Sequence, residues 1–484
     1  MQNRGIKTIK FHMRKIFLIY YCIINFIFVF TDNGNFLPLY GKDLEMKHQI
    51  WNKEMECMNR KDLESLQLER LKALVDYCDK NSKFYHDRFE KHGITADKIK
   101  TLSDIQYIPY TTKDDLRDTY PFGMLSVPQK KIVRVHASSG TTGNPTVVAY
   151  TKEDLENWSE QVARLVYAAG TTDESIVQIC FGYGMFTGAL GLHYGLERIG
   201  ATVVPTSSGN TEKQLKFMRD FGTDTIVATP SYCLYLAESA RERGIEFPMD
   251  SYKLKTGLLG SEGCTPEMRK QIEESWGNGF FCTDNYGMSE LNGPGMSGEC
   301  MMRDGLHINE DHFLCEVIDP KTGEVLPQGS EGEMVVTNLT KRGLPILRYR
   351  TKDITKINYE PCECGRTTAR MHKIIGRSDD MLKIRGVNVF PSQVESALIG
   401  INSISPHYQL VVRREGFADN LEVRVELIDA SLLEKYSELE KLRKNIHDRI
   451  KNILGIEIKV SLVEPKTIER FTGKAQRVLD LRNK

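Results

Sequence analysis

Residues 60–78 set Leu63, Leu66, Leu71, Leu74, Val75 and Cys78 on one helical face, with lysine and glutamate on the rest. Apolar positions three and four apart predict an amphipathic helix with one stripe turned to a core. Between about 132 and 285 the pattern changes. The β-rich runs "TVVAY" (146–150), "SIVQICF" (175–181), "ATVVPT" (201–206), "DTIVATP" (224–230) and "KTGLLG" (255–260) alternate with helical stretches such as 152–168 and 211–221. Alternation of this kind predicts an α/β domain with substantial parallel sheet, and ligands bind such sheets at the carboxyl ends of the strands. The charged stretch "GRSDDMLKIRG" (376–386) is bracketed by glycines, and a separate α+β pattern follows it. There 409–414, 421–428 and 457–465 read as strands and 432–453 as a charged helix. A domain boundary is expected near 378, giving units 46–377 and 378–484.

The length of 484 residues accommodates two or more domains. With 65 basic and 65 acidic residues the net charge is zero, so neither nucleic acid nor an anionic membrane is expected as a partner. Eleven cysteines are too dilute for a disulfide scaffold and suit buried thiols in a reducing compartment, so a cytoplasmic location is expected. The run "KIFLIYYCIINFIFVF" (15–30) follows basic residues and has three readings. It is a short membrane anchor, a cleaved signal, or part of a segment 1–45 that precedes the true start at Met46. It is shorter than the about 20 residues of a usual span, and no A-x-A-like cleavage site follows. The start at Met46 is the expectation.

Four stretches carry candidate chemistry. In "HASSGTTGNPTVVAY" (136–150), Ser138, Ser139, Thr141 and Thr142 offer hydroxyls, and Gly140 and Gly143 let backbone amides approach an anion. The usual phosphate loop ends in lysine, whereas this one ends in Asn144; a flexible loop is the other reading. In "NYGMSE" (285–290), Tyr286 could stack on a ring and Glu290 could hold Mg²⁺. The alternative is a turn with Ser289 capping a helix. In "RYRTKD" (348–353), Asp353 either accepts ribose hydroxyls or joins an ion-pair network with Arg348 and Arg350. In "RFTGKAQRV" (470–478), Thr472 and Gly473 present Lys474, which by itself reads as a solvated lysine.

In order and spacing these stretches resemble the adenylate-forming enzymes (acyl-CoA synthetases, adenylation domains and luciferases), and most closely the phenylacetate–CoA ligase family. "VHASSGTTGNPTVVAYT", "YGMSE", "GLHINEDHF", "LPILRYRTKD" and "GRSDDMLKIRGVNVFPSQVE" carry the resemblance, which covers Met46 to the end. It implies a large N-terminal domain with mixed and parallel sheets and a small mobile C-terminal α+β domain. It also implies ATP-dependent joining of phenylacetate or a close arylacetate to coenzyme A through an acyl-adenylate, with release of AMP and pyrophosphate. By the same resemblance Ser138 to Gly143 wrap the β- and γ-phosphates, and Gly260, Ser261, Glu262 and Tyr286 line the adenine pocket. Thr283 to Gly287 run along the nucleotide, Ser289 contacts the α-phosphate and Glu290 binds Mg²⁺. Asp353 takes the ribose hydroxyls with Arg377 beside it, Asp379 is the hinge, and Lys474 bridges the carboxylate and the α-phosphate. Lysine is frequent in the family at the place of Asn144, so one phosphate contact differs here.

Phe181, Tyr183 and Phe186 are candidates for an apolar acyl pocket, with Tyr232 and Tyr235 further on; core packing is the competing reading of each. Cys300, His307, Cys362 and Cys364 make a Cys₃His set suited to structural Zn²⁺. C-x-C is less common than C-x₂-C, and four unrelated side chains are the alternative. Loading of an aryl acid onto a carrier-protein thiol is the second functional reading. An inactive nucleotide-binding regulator is the third, and a membrane-anchored protein the fourth. A homodimer is implied by the family.

Overall fold

A computed structural model describes residues 49–138, 144–244, 248–277, 279–378, 382–384, 387–415, 418–469 and 477–482, with the backbone of Ile27–Phe30 and Phe36–Leu39, which pair antiparallel. The rest of the apolar run 15–30 and Met46 lie outside the described residues. No helix among the described residues is long and apolar enough to cross a membrane.

Helix α1 (Arg60–Asn81) starts where the Asn59 side chain accepts from the Asp62 amide. Leu63, Leu71, Leu74, Val75 and Cys78 are buried as the pattern predicts, but Leu66 is only half-buried. Gln67 takes the buried place beside it and donates to the Glu310 carbonyl at 2.8 Å. The stripe is therefore part polar, because a buried backbone acceptor needs a donor there.

Strands β1 (Arg134–Ala137) and β2 (Val147–Tyr150) pair antiparallel, and the glycine-rich loop connects them. Helix α2 (Lys152–Ala168) follows, opened by a reciprocal Thr151–Asp154 capping box. The main sheet then takes β3 (Ile176–Ile179), β4 (Thr202–Val204), β5 (Thr225–Ala228), β6 (Thr256–Gly260), β7 (Phe281–Met288), β8 (Gly293–Glu299), β9 (Leu306–Ile308), and two short strands from further along the chain. Its order runs β4, β3, β5, β6, β7, β8, β9, then Arg370–Met371 and Ile357–Asn358. Pairing is parallel from β4 to β7 and antiparallel from β7 onward. Helices α3 (Gly188–Arg198), α4 (Pro230–Glu242) and α5 (Pro266–Trp276) lie between the parallel strands in sequence. The strand-to-helix alternation accounts for the parallel half, and the antiparallel half lacks that signature.

A four-stranded antiparallel sheet holds β10 (Phe313–Ile318), β11 (Gly332–Asn338), β12 (Tyr349–Thr355) and β13 (Gly376–Arg377). Past it, α6 (Pro391–Leu398), β14 (Ile404–Glu415), β15 (Ala418–Leu427), α7 (Tyr436–Leu454), β16 (Lys459–Val463) and β17 (Val478–Asp480) enclose a separate apolar cluster that includes Val394, Leu410, Val423, Ile446 and Ile450. This mixed α/β architecture, a large sheet-and-helix body followed by a small α+β unit, is the expected fold class.

The segment Asn309–His312 is a buried polar junction in the large body. Glu310 accepts from both Arg60 Nη atoms, at 2.7 and 2.9 Å, and from the Ala369 amide at 2.6 Å. Asp311 accepts from Arg164 Nη1 at 2.8 Å, with both side chains under 5% exposed. Removing one partner of a buried pair strands the other charge. Asp311→Ala should therefore lose about 3 kcal/mol of stability in urea unfolding; a loss below about 1 kcal/mol would show that the junction does not hold the fold.

Candidate nucleotide and metal sites

The carboxyl ends of β3, β5, β6 and β7 set the frame. Strand β6 ends at Gly260, where a Cβ would stand 2.9 Å from the Asn285 carbonyl of the adjacent strand. Ser261 follows with φ +69°, a left-handed conformation that non-glycine residues adopt under constraint. The constraint is visible one residue on: Glu262 Oε1 accepts from the Ser231 amide at 2.7 Å, in the first turn of α4. A carboxylate at a helix start is held by free amides and the helix dipole.

At the end of β7 the chain doubles back. A Cβ on Gly287 would stand 1.8 Å from the Gly293 carbonyl, so only glycine allows β7 and β8 this approach. The turn Ser289–Leu291 is a 3₁₀ helix whose first residue is Ser289; Ser289 does not cap a longer helix. Its hydroxyl lies 3.1 Å from Thr187 Oγ1. Glu290 is buried and accepts from Thr146 Oγ1 at 3.3 Å, and Thr146 is hydrogen-bonded in turn to Ser138 Oγ. Ser138, Thr146 and Glu290 thus form one chain from the loop mouth to the acid. Tyr349 also hydrogen-bonds Glu290, and burial, then that carboxylate, push its phenol far above the ordinary range.

Tyr286 donates its hydroxyl to Asp353 Oδ2 at 2.6 Å, and Arg377 Nη1 donates to Asp353 Oδ1 at 3.1 Å across the β12–β13 register. Arg348 instead forms a two-pronged pair with Glu316, and Arg350 pairs with Glu333. Asp353 is therefore not the partner of its neighbouring arginines. Ser139, Gly140, Thr141, Thr142, Gly143, Asp379 and Lys474 lie outside the described residues.

Pattern reading gave no role to Lys341. Its side chain is buried, donates to Asn292 Oδ1 at 2.8 Å and sits 3.7 Å from the Tyr150 ring centroid. Burial pushes its amine down to about 7 against the opposing pull of Asp154 and Glu290. Asn144, by contrast, is exposed.

The aromatic candidates divide. Phe181 packs with Val177, Ile179, Val227 and Leu258. Tyr232 packs with Ile226, Ala228 and Leu259, alternate residues that face the other side of the sheet. Tyr183 is half-buried with its hydroxyl 3.1 Å from His193 Nδ1, while Phe186 is 47% exposed.

Cys300, His307, Cys362 and Cys364 converge, all buried, with ligand atoms within 4.8 Å of one another. Cys300 Sγ to Cys362 Sγ is 3.9 Å and Cys364 Sγ to His307 Nε2 is 3.4 Å. Metal bonds of about 2.3 Å to sulfur and 2.0–2.1 Å to nitrogen, set tetrahedrally, require separations of about 3.8 and about 3.5 Å. The four residues fit a metal ion. Thr368 Oγ1 lies 3.0 Å from His307 Nδ1, leaving Nε2 for the cluster. Cys315 lies outside it.

A family model described as AMP-binding enzyme matches residues 53–340, and one described as AMP-binding enzyme C-terminal domain matches 386–482. The chain belongs to the AMP-binding, adenylate-forming enzymes. Phenylacetate-coenzyme A ligase of Thermus thermophilus is 47% identical over 447 residues, covering 90% of this chain and all of that relative. The enzyme of the same name from Escherichia coli K12 is 46% identical, covering 89% of this chain and 97% of that protein. Within the class, the chain is a member of the phenylacetate–CoA ligase family. Among solved structures, 2-hydroxyisobutyryl-CoA ligase in the postadenylation state with 2-HIB-AMP matches with TM-score 0.84 at 28% identity, over 90% of this chain and 93% of that one. The same protein in the thioesterification state, with 2-HIB-AMP and CoA, matches with TM-score 0.66 at the same coverage.

Lys341 carries a pH signature. Below about 7 its amine is charged in both folded and unfolded chains, and the folded state bears the full cost of a buried charge. Between about 7 and the ordinary 10.5 the unfolded chain keeps a proton that the folded chain releases, so stability from this group rises with pH. Relative to Lys341→Met, the native protein should gain stability across that window in urea titrations. A gap that does not vary with pH would refute the buried amine.

Proposed function

We propose that the chain is an AMP-forming phenylacetate–CoA ligase. The observation that carries this reading is the 45–47% identity to phenylacetate-coenzyme A ligases over about nine-tenths of the chain. The convergence of Tyr286, Ser289, Glu290 and Asp353 at the carboxyl ends of the parallel strands supports it.

The acid's carboxylate oxygen attacks the α-phosphorus of ATP, and the bond to the β-phosphate breaks with release of pyrophosphate. The thiol sulfur of coenzyme A then attacks the acyl carbon, its proton is lost, and AMP departs. Charge builds on the α-phosphate in both steps, so fixed hydrogen-bond donors serve best there. Ser289, on its tight 3₁₀ turn, is assigned to the α-phosphate. Asp353, held by Tyr286 and Arg377, is assigned to the ribose hydroxyls. Gly260, Ser261 and Glu262 shape the adenine pocket, and Ser138 to Gly143 enclose the β- and γ-phosphates. Glu290 would hold Mg²⁺, which supplies neutralising charge to the phosphates; its buried carboxylate is the hard oxygen donor that such an ion takes. Lys474 is assigned to the carboxylate and α-phosphate in the first step, and Asp379 to the hinge that carries it away. Residues 46–377 and 378–484 are the two moving parts. The difference between TM-scores of 0.84 and 0.66 against two states of one relative supports an adenylation-type arrangement here. Tyr183, fixed through His193 to Glu197, and Phe186 are assigned to the acyl pocket. Cys300, His307, Cys362 and Cys364 would hold Zn²⁺ in a structural role, since four protein donors leave no open position. Free thiols throughout the described residues suit the cytoplasm.

Purified protein given ATP, Mg²⁺, coenzyme A and a panel of acids should release AMP fastest with phenylacetate or a close arylacetate. Absence of acid-dependent AMP would overturn the reading. Lys474→Ala should lose adenylation by about 10²-fold or more while still converting supplied phenylacetyl-adenylate to thioester; equal loss of both would remove the lysine from the first step. Elemental analysis should find about one zinc per chain, and Cys364→Ser should lower both zinc content and melting temperature. Zinc-free protein of unchanged stability would end the metal assignment.

A further inference from the structure

Among the described residues, the small domain makes contacts on the large one that a rotating domain cannot keep. Ser392 Oγ donates to the Ile375 carbonyl at 2.6 Å. Ile399, at the end of α6, packs against the large-body cluster that contains Met268 and Ile272. Phe390 lies on Gly376: a Cβ built there would stand 2.3 Å from the Phe390 ring. Gly376 is in β13, the last strand of the antiparallel sheet, and its φ is not in the left-handed region. Its want of a side chain is thus answered by the ring alone, not by backbone conformation.

Gly376 and Phe390 lie on opposite sides in sequence of residues 378–381, where the proposed hinge falls. Any rotation of the small domain about that point moves Phe390 off Gly376 and Ser392 away from Ile375. We infer that Phe390, seated on Gly376 and braced by Ser392, is a positioning residue that latches the small domain in the adenylation arrangement. This inference rests on the two-state reading of the enzyme. The Phe390 contact biases the equilibrium between the two domain arrangements, and each half-reaction proceeds at a rate set by the fraction of molecules in its own arrangement.

The two half-reactions separate the latch from ordinary packing. Acid-dependent ATP–pyrophosphate exchange reports adenylation, and thioester formation from supplied phenylacetyl-adenylate and coenzyme A reports the second step. Phe390→Ala should lower exchange about tenfold and leave thioester formation unchanged or faster, with Phe390→Tyr restoring exchange. Gly376→Ala, which presses a methyl into the ring, should reproduce the split. Equal loss in both half-reactions, as from misfolding, or no loss in either, would overturn the latch. Failure of the native protein to exchange pyrophosphate with any acid would instead overturn the ligase reading itself.

Discussion

Two adjacent buried carboxylates, Glu310 and Asp311, govern how the large domain is assembled. A buried charge without a partner costs several kcal/mol, so each must be met by a donor from elsewhere in the chain. Glu310 draws in Arg60 from α1 and the amide of Ala369. Asp311 draws in Arg164 from α2 and also pairs with Arg70 on α1. Asn309 completes the set by donating to the carbonyls of Gln161 and Gly295. Burial lowers the His312 imidazole to about 4, so it is neutral at ordinary pH and hydrogen-bonds Thr340 without adding charge. Five distant segments therefore meet at four consecutive residues. Charge pairs and hydrogen bonds thus tie these segments together beside the apolar cluster that holds Ile308 and Phe313.

That junction reaches the chemistry through β8. Gly295, whose carbonyl accepts from Asn309, lies in this strand. At one end of β8, Gly293 meets Gly287 and fixes the turn that carries Ser289 and Glu290. At the other end, the chain passes directly from Glu299 into Cys300 of the Cys₃His group. The cluster's far side is braced in the same way. Arg366, two residues past Cys364, forms a buried pair with Glu56, and Thr367 donates to the Met58 carbonyl. A structural metal there would pin both the end of β8 and the segment leading into α1. The turn with Ser289 and Glu290 and the Cys₃His group are thus two ends of one strand held at its middle.

The α/β class and the parallel half of the sheet were legible because period and length distinguish strands of four or five residues from the helices between them. The antiparallel half was not, since strands such as Gly293–Glu299, rich in glycine, carry no apolar alternation. The motif residues were legible as a set, but their partners were not. Arg377 beside Asp353 came from family resemblance, whereas Tyr286 as a hydrogen-bond donor to Asp353, and Thr146 and Tyr349 on Glu290, arise from strand register that no local pattern encodes. Lys341 drew no reading from the sequence, and only the folded chain shows it against the Tyr150 ring. "GLHINEDHF" was legible as a family motif, with His307 as a metal-ligand candidate, but the pairing of its Glu310 and Asp311 with distant arginines was not. The convergence of Cys300, His307, Cys362 and Cys364 was the opposite case: the sequence proposed the set and the fold brings it together.

The disposition of cations bears on why the proposed mechanism needs a moving domain. The cations described near Glu290 and Asp353 are engaged in the fold. Arg348 and Arg350 answer Glu316 and Glu333, Arg377 is held by Asp353, and Lys341 is tied to Asn292 with an amine lowered to about 7. A strong cation fixed permanently at the α-phosphate would stabilise ATP, the transition state and the bound adenylate alike. Uniform stabilisation of that kind deepens the intermediate's well without lowering the barrier out of it. A cation that arrives for the first step and departs before the second stabilises the first transition state without holding the adenylate back from the thiol. In the proposed cycle Lys474 is that cation, and Arg348, Arg350, Arg377 and Lys341, engaged in the fold, are the complementary half of the arrangement. The small domain must then have a defined resting contact, because a lysine delivered by an unbiased hinge would be present for only a fraction of encounters.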